Sequence, residues 1–296
     1  MDFLISGTVI SPWLLAGIGF VVGVLGGFFG VGGGFLAAPL MIWSGVPVHF
    51  VVGTDLAHMT GKSIVAARRH RAMGNVDLRL GLLMTAGTVP GIEIGAQLIE
   101  LLERLGSIER VVGIAYVVIL TGIGLFTAWE SIRALRMQNT DQLEAVDVLS
   151  MDGLAHRSRL FRIPPMIKLP TSGVSEVSLW AIMLVGFITG VLAGFLGVGG
   201  GFIRLPLLVY ILGIPTHVAV GTDLFEIVIS AGFGTITHAL KGNVDILIAL
   251  TMQTGAAIGA QIGAVGTRYF SGPTIRLAFS IFPLIAAVLV LMNVGI

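Results

Sequence analysis

Gly30-Val31-Gly32-Gly33-Gly34-Phe35 recurs as Gly197-Val198-Gly199-Gly200-Gly201-Phe202. The match runs outward from both turns. Pro39 answers Pro206 at the same offset of 167 (206 − 39). One residue is then inserted, and Gly53-Thr54-Asp55-Leu56 answers Gly221-Thr222-Asp223-Leu224 at 168 (221 − 53). His70 answers His238, and Gly74-Asn75-Val76-Asp77 answers Gly242-Asn243-Val244-Asp245. Upstream, Gly19, Gly23 and Gly27 pair with Gly186, Gly190 and Gly194; downstream, Gly87, Gly91 and Gly95 pair with Gly255, Gly259 and Gly263. Two copies of about 120 residues are too few and too long for a solenoid.

Composition places the pair in a membrane. Hydrophobic residues make up 55% and charged residues 11% of the 296, and mean hydropathy is +0.98. A soluble domain carries about 25% charged residues. The chain has no Cys, which removes disulfides, thiolate metal sites and thiol redox chemistry. A net charge of +1 gives no reason to expect nucleic acid. Met1-Asp2-Phe3 lacks a basic n-region, so no cleaved signal peptide is expected.

Apolar runs of helix length lie at 10–29, 79–99, 110–132, 178–196, 246–266 and 274–294, each near the ~20 residues that a span needs. Shorter pieces intervene at 35–44 and 54–67, and again at 202–212 and 222–239. A piece of ~11 residues reaches roughly 16 Å, about half of a ~30 Å hydrocarbon core. Each pair therefore reads as a broken or re-entrant hairpin, tolerated only where protein or a water-filled cavity covers its irregular backbone.

Basic residues set the orientation. Arg68, Arg69, Arg71 and Arg79 predict a cytoplasmic turn, and Glu100, Glu103 and Glu109 suit the outside. Arg133, Arg136, Arg157, Arg159, Arg162 and Lys168 return the chain to the cytoplasm. In the second half Lys241 stands nearly alone outside, while Arg268 and Arg276 lie inside. Each half thus crosses an odd number of times. The expectation is an all-α polytopic membrane protein of two inverted-topology repeats, each with about three full spans plus a broken or re-entrant hairpin. The first repeat covers 10–134, a cytoplasmic polar linker 135–176 and the second repeat 177–294. Both termini are expected to be extracytoplasmic. Within the linker, Phe161 to Leu169 could form a short amphipathic anchor on the inner leaflet.

The duplicated Gly-x-Gly-Gly-Gly-Phe-x-x-x-Pro-x-Leu at Gly30–Leu40 and Gly197–Leu207, each followed by Gly-Thr-Asp-Leu and Gly-Asn-Val-Asp, resembles the TauE/SafE family of sulfite and organosulfonate exporters. This family is also called the toluene-sulfonate uptake permease family. The resemblance covers nearly all of the chain outside the linker. It implies a multi-pass inner-membrane transporter of small sulfur-containing anions such as sulfite or sulfoacetate. The particular anion does not carry over.

Candidate site residues follow from the residues themselves. Gly32, Gly33, Gly34, Gly199, Gly200 and Gly201 could let backbone N–H groups converge on an anion at the positive end of a helix. They could equally serve only a tight turn and close helix contact. Arg204 lies inside an apolar run where the first half has Ala37. Its planar fork suits sulfonate oxygens, and the competing reading is a snorkelling surface Arg. Thr54-Asp55 and Thr222-Asp223 are read first as helix N-caps that shape the pocket. His58 and Glu226 occupy equivalent positions and suit proton coupling. Lys62, four residues after His58, suits anion attraction. The competing reading leaves His58, Glu226 and Lys62 solvated near the cytoplasmic end, and His70 and His238 are assigned to it. Glu93, Gln97, Gln253 and Gln261 are candidates to line a pathway.

No cofactor is expected. The expected partners are a small anion and the lipid bilayer, and a homodimer is an open expectation. Without a Gly-x-x-x-x-Gly-Lys-Ser/Thr loop, ATP drive in this chain is not expected. An enzyme is disfavoured, since His-Glu-x-x-His, Gly-x-Ser-x-Gly and thiols are all missing from the sequence. Two short-segment-interrupted apolar copies point to a secondary transporter, with an anion channel as the alternative.

Overall fold

The computed structural model describes residues 2–3, 6–106, 108–138, 163–196 and 200–294. Its first half holds β1 (Asp2–Phe3), β2 (Thr8–Val9), α1 (Pro12–Phe29), α2 (Gly34–Trp43), α3 (Val48–Ala72), α4 (Leu78–Arg104) and α5 (Ile108–Gln138). The second half repeats the order with β3 (Met166–Leu169), β4 (Val174–Ser178), α6 (Leu179–Leu196), α7 (Gly201–Tyr210), α8 (Thr216–Leu240), α9 (Ile246–Gly266) and α10 (Gly272–Val294). A 3₁₀ turn, Thr267–Tyr269, follows α9. The protein is an all-α polytopic membrane protein. Among the described residues six helices, α1, α4, α5, α6, α8 and α9, are long and apolar enough to cross a bilayer. All four tryptophans, Trp13, Trp43, Trp129 and Trp180, stand on the surface, as suits rings placed at a lipid–water boundary.

One expectation is corrected. The pieces at 54–67 and 222–239 belong to α3 and α8, which are 25 residues each, or about 37 Å at 1.5 Å per residue. They are full-length helices. Thr54, Asp55, His58 and Lys62 lower the hydropathy of α3 without interrupting it. The hairpin of each half therefore joins a ten-residue helix to a complete one. Asp55 and Asp223 are not N-caps: Pro47 and Pro215 hold the positions before the two helices.

The short helices start where the chain demands glycine. Gly30 ends α1 with φ 77°, donating its N–H to Gly26 O at 2.9 Å, and Gly33 at φ 71° precedes α2. Gly200 repeats this at φ 70° before α7. Side chains rarely tolerate that left-handed region.

The main packing is between the halves and is reciprocal. Gly19, Gly23 and Gly27 of α1 lie against the backbone of Met252, Ala256 and Ala260 of α9. Gly186, Gly190 and Gly194 of α6 lie against Met84, Thr88 and Ile92 of α4. Every partner differs by 168 (252 − 84, 256 − 88, 260 − 92). Such glycine ladders let backbones approach closely where lipid offers no hydrophobic drive for association. The numbering also fixes direction: α1 runs parallel to α9, and α6 parallel to α4. The equivalent helices α3 and α8 instead pack antiparallel, with Gly234 against Leu56 and Gly232 against Thr60. Helices α5 and α10 do the same, with Glu130 near Arg276 and Gly124 near Leu284.

A strand hairpin precedes each half. Asp2 pairs with Val9 in the first, and Ile167 with Val177 in the second. Ser6 N–H donates to Asp245 at 3.1 Å, and the Ser172 hydroxyl donates to Asp77 at 2.7 Å. The second hairpin begins inside the stretch read as linker, 135–176, and ends two residues past it at Ser178. Residues 163–169 of the proposed amphipathic anchor are strand and loop rather than helix, and its first two residues, like 139–160, lie outside the described residues.

Candidate functional site

The repeated motifs are contacts between the halves. Thr54 accepts a hydrogen bond from the backbone N–H of Asp245, and Thr222 from that of Asp77, both at 2.9 Å. Gly53 sits on the carbonyl of Asn243, and Gly221 on that of Asn75. Gly-Thr-Asp-Leu of one half thus seats Gly-Asn-Val-Asp of the other. Asp77 and Asp245 in turn cap α4 and α9, accepting from Leu80 at 3.1 Å and from Leu247 at 3.0 Å. Capping chemistry is present, but at these aspartates rather than at Asp55 and Asp223.

With α3 and α8 anchored this way, their middles cross at the centre, where Leu56, Met59, Ile227 and Ala231 form a small apolar cluster. The glycine turns meet there. Val31 backbone lies against Gly201, and Gly32 lies against Met59 and Ile227. Gly32, Gly33 and Gly34 are buried, as are Gly200 and Gly201; Gly199 lies outside the described residues. Two short helices therefore open inside the protein, at its middle, with their N-termini close together. Those ends carry partial positive charge and N–H groups without intrahelical partners.

Each turn has a buried cation beside it. In the first half, Lys62 is 1% exposed, and a Cβ placed on Gly33 would stand 3.3 Å from its Nζ. His58 Nδ1 lies 3.4 Å from Lys62 Nζ and 3.3 Å from Asp55 Oδ1. In the second half, Arg204 on α7 is fully buried. Its Nε donates to Thr189 Oγ1 at 3.1 Å, and its Nη1 donates to Asp223 Oδ1 at 2.8 Å and to Glu226 Oε2. Ser230 donates to the same Glu226 oxygen at 3.2 Å. Arg204 does not snorkel.

The structure thus groups Asp55, His58 and Lys62 beside the first glycine turn and Arg204, Asp223 and Glu226 beside the second, in two half-sites of different chemistry, while Thr54 and Thr222 serve the contacts between the halves. Asp55 and Asp223 are common to both. At equivalent positions of the two halves, His58 stands where the second has Glu226, Lys62 where it has Ser230, Ala37 where it has Arg204 and Val22 where it has Thr189. Fully buried polar atoms with no hydrogen-bond partner cluster here: Asp55 Oδ2, His58 Nε2, Arg204 Nη2, Asp223 Oδ2 and Glu226 Oε1. Unpaired buried polar atoms are uncommon and call for a ligand, a proton or water.

Other residues fall elsewhere. His70 and His238, expected in solvent, are buried, and His70 Nε2 lies 3.0 Å from Gly27 O. Gly221 of α8 lies against His70, and Gly53 of α3 lies against His238. Gln97 and Gln261 are exposed, Glu93 is half-buried and accepts from Gln97, and Gln253 lies against Gly61 of α3. Thr189 and Ser230 were missed as site residues. Their signal is a hydroxyl in an apolar helix, which is weak because such hydroxyls commonly bond their own backbone, as Thr189 also does. A second ionic group was missed too. Glu130 accepts from Tyr210 at 2.6 Å and lies 3.5 Å from Arg276, which donates to Thr216 at 2.6 Å. It ties α5 and α10 to the tip joining α7 and α8.

The family described as Sulfite exporter TauE/SafE matches residues 15–290. The chain is similar to the "Probable membrane transporter protein YunE" of Bacillus subtilis, 25% identical over 276 residues, covering 90% of this chain and 93% of that one. It is 27% identical over 274 residues to the "Probable membrane transporter protein YdhB" of the same organism, covering 92% and 97%. A "Probable membrane transporter protein" of Methanocaldococcus jannaschii is 27% identical over 283 residues, covering 90% of each chain. No solved structure matches.

Proposed function

The chain belongs to the sulfite exporter TauE/SafE family, and from that premise we propose that it is a secondary transporter exporting a small sulfur-containing anion, such as sulfite or an organosulfonate, across the inner membrane. The observation that carries this reading is the meeting of two glycine turns in the buried centre, with Lys62 Nζ beside Gly33. A buried ammonium and the N-terminus of α2 together make a place for an oxyanion. Discontinuous helices whose positive ends face a central anion are the device of transporters with inverted repeats.

We propose the inverted arrangement as well. It is supported by the antiparallel packing of the equivalent helices α3 and α8 and of α5 and α10. In the proposed motion, one half rocks against the other along the glycine ladders, exposing the centre to each side in turn. Lys241 pairs with Glu100 at 3.5 Å, in keeping with both turns lying on the outer face. Both termini then lie outside.

Reconstitution into liposomes tests the reading. Sulfite, sulfoacetate and sulfate are offered separately and in competition, and flux is followed by tracer. Saturable flux with trans-stimulation by the same anion supports a carrier. Flux that never saturates and shows no trans-stimulation supports the channel alternative. Flux of none of these anions removes the proposed substrate class.

A further inference from the structure

We propose that the two half-sites have divided their work: the first binds the anion, and the second carries one exchangeable proton on Glu226, so that anion and proton bind together. This rests on the transporter reading above. The argument begins with charge. Arg204, Asp223 and Glu226 are fully buried, and no other charged side chain bonds them among the described residues. With both acids ionised, the cluster holds one positive and two negative charges, a net of −1 in the middle of a membrane protein. An uncompensated buried charge is far costlier than a neutral group. One proton brings the cluster to neutrality.

Geometry selects the holder. Both carboxylates share a single nitrogen, Arg204 Nη1, while Asp223 Oδ2 and Glu226 Oε1 have no partner. Asp223 has Asp55 as its equivalent, so that position is the same in both halves. Glu226 stands where the first half has His58, so this acid, like Arg204, is present in the second half alone. Arg204 commits Nε and Nη1 to Thr189 and the two acids and keeps only Nη2 without a partner, whereas Lys62 Nζ has a single contact, His58 Nδ1 at 3.4 Å, which makes Lys62 the cation more open to the substrate.

The groups around Glu226 are few. Besides Arg204 on α7, α3 carries Asp55, His58 and Lys62. Helix α4 offers buried Thr88 and, at its cap, Asp77. Helix α10 offers Arg276, which bonds Thr216 at the far end of α8, and α1 has no titratable side chain. In this arrangement an anion at Lys62 adds negative charge to the centre and strengthens proton binding on Glu226, and the proton in turn favours the anion. A monoanion and a proton then cross as a neutral pair, so export runs only where the outward anion gradient exceeds the inward proton gradient, and uptake runs where it does not.

Two measurements test this with methanesulfonate as the probe, an organosulfonate that is a monoanion at every pH used. In weakly buffered solution, purified wild-type protein should take up about one proton per anion bound somewhere between pH 5 and 8. In liposomes, an inward proton gradient should drive accumulation by wild type, whereas Glu226→Gln should exchange anion without pH dependence and lose at least tenfold of the gradient-driven accumulation. Wild type that binds the anion with no proton uptake overturns the inference and leaves the transporter reading standing. So does gradient-driven accumulation by Glu226→Gln at the wild-type level. Wild type that neither binds nor moves any anion overturns the transporter reading itself.

Discussion

The hydroxyl of Thr222 accepts a hydrogen bond from the backbone N–H of Asp77 at 2.9 Å, and Thr54 does the same for Asp245 at the same distance. Each link joins the start of a long helix in one half to the second turn of a long helix in the other. All four residues are buried. Thr222→Ala therefore strands a buried N–H, which costs about 1–3 kcal/mol. Thr54→Ala is expected to cost a similar amount, and Thr222→Ser little, because the hydroxyl is kept. Thermal unfolding of the purified variants in one detergent checks this. Equal midpoints for Thr222→Ala and wild type would show that the link contributes nothing.

The antiparallel pairing of α3 with α8 makes a prediction about sidedness. Arg71 at the end of α3 and Lys241 at the end of α8 hold near-equivalent places and are exposed. With no native Cys, Arg71→Cys and Lys241→Cys can each be labelled with an impermeant thiol reagent. Intact cells should label position 241 only, and inside-out vesicles position 71 only. Labelling of both from one side excludes the inverted arrangement.

The duplication, the membrane and the short helices were legible because each leaves a local mark: a repeated string, an apolar run, a glycine turn. The length of α3 was not, because Gly53-Thr54-Asp55 reads as a helix start and puts the beginning of the piece at 54, while Pro47 precedes a helix that begins at Val48 and runs on through Arg68, Arg69 and Arg71. The motif Gly-Asn-Val-Asp was visible as a repeat, but its partner across the halves was not, since sequence offsets do not reveal which helices touch. Arg204 was recognisable as a charge in an apolar run. Its acids were among the candidates, yet nothing in the spacing of Arg204, Asp223 and Glu226 says that a short helix folds one onto the others.

The glycine ladders predict sharp position dependence. A Cβ on Gly190 would run into the backbone of Thr88, and one on Gly91 into that of Phe187. Gly190→Val should force α6 off α4, and overpacking of this kind costs typically 1–3 kcal/mol. Gly17 lies on the same type of helix with nothing within 4 Å of an added Cβ. Gly17→Ala should be neutral or slightly stabilising, by up to about 1 kcal/mol. Gly33→Val and Gly200→Val combine a clash with an impossible φ and should abolish flux. Expression level and midpoint of unfolding separate these classes. A Gly190→Val variant as stable as Gly17→Ala removes the ladder from the packing argument.

The last prediction separates the two buried cations. Lys62 has one weak contact, to His58 at 3.4 Å, and stands by the first glycine turn. Lys62→Met removes the charge and keeps the length. If the ammonium holds the anion, the loss of one charge-assisted hydrogen bond of about 1.5–3 kcal/mol lowers affinity roughly tenfold to a hundredfold. Stability should change little, because an apolar chain of similar volume commonly replaces a buried charge without penalty. Arg204 is the opposite case. Arg204→Ala leaves Asp223 and Glu226 buried without a cation, and breaking a buried pair on one side costs about 3–5 kcal/mol. Its main effect should be a lower unfolding midpoint and a lower yield. Arg204→Lys should recover only part of that, since an ammonium cannot reach Thr189 and both acids with the planar fork of a guanidinium. Anion binding and thermal unfolding measured on all three variants decide the matter. Unchanged affinity in Lys62→Met, together with a large affinity loss in a well-folded Arg204→Ala, would move the anion to the second half-site.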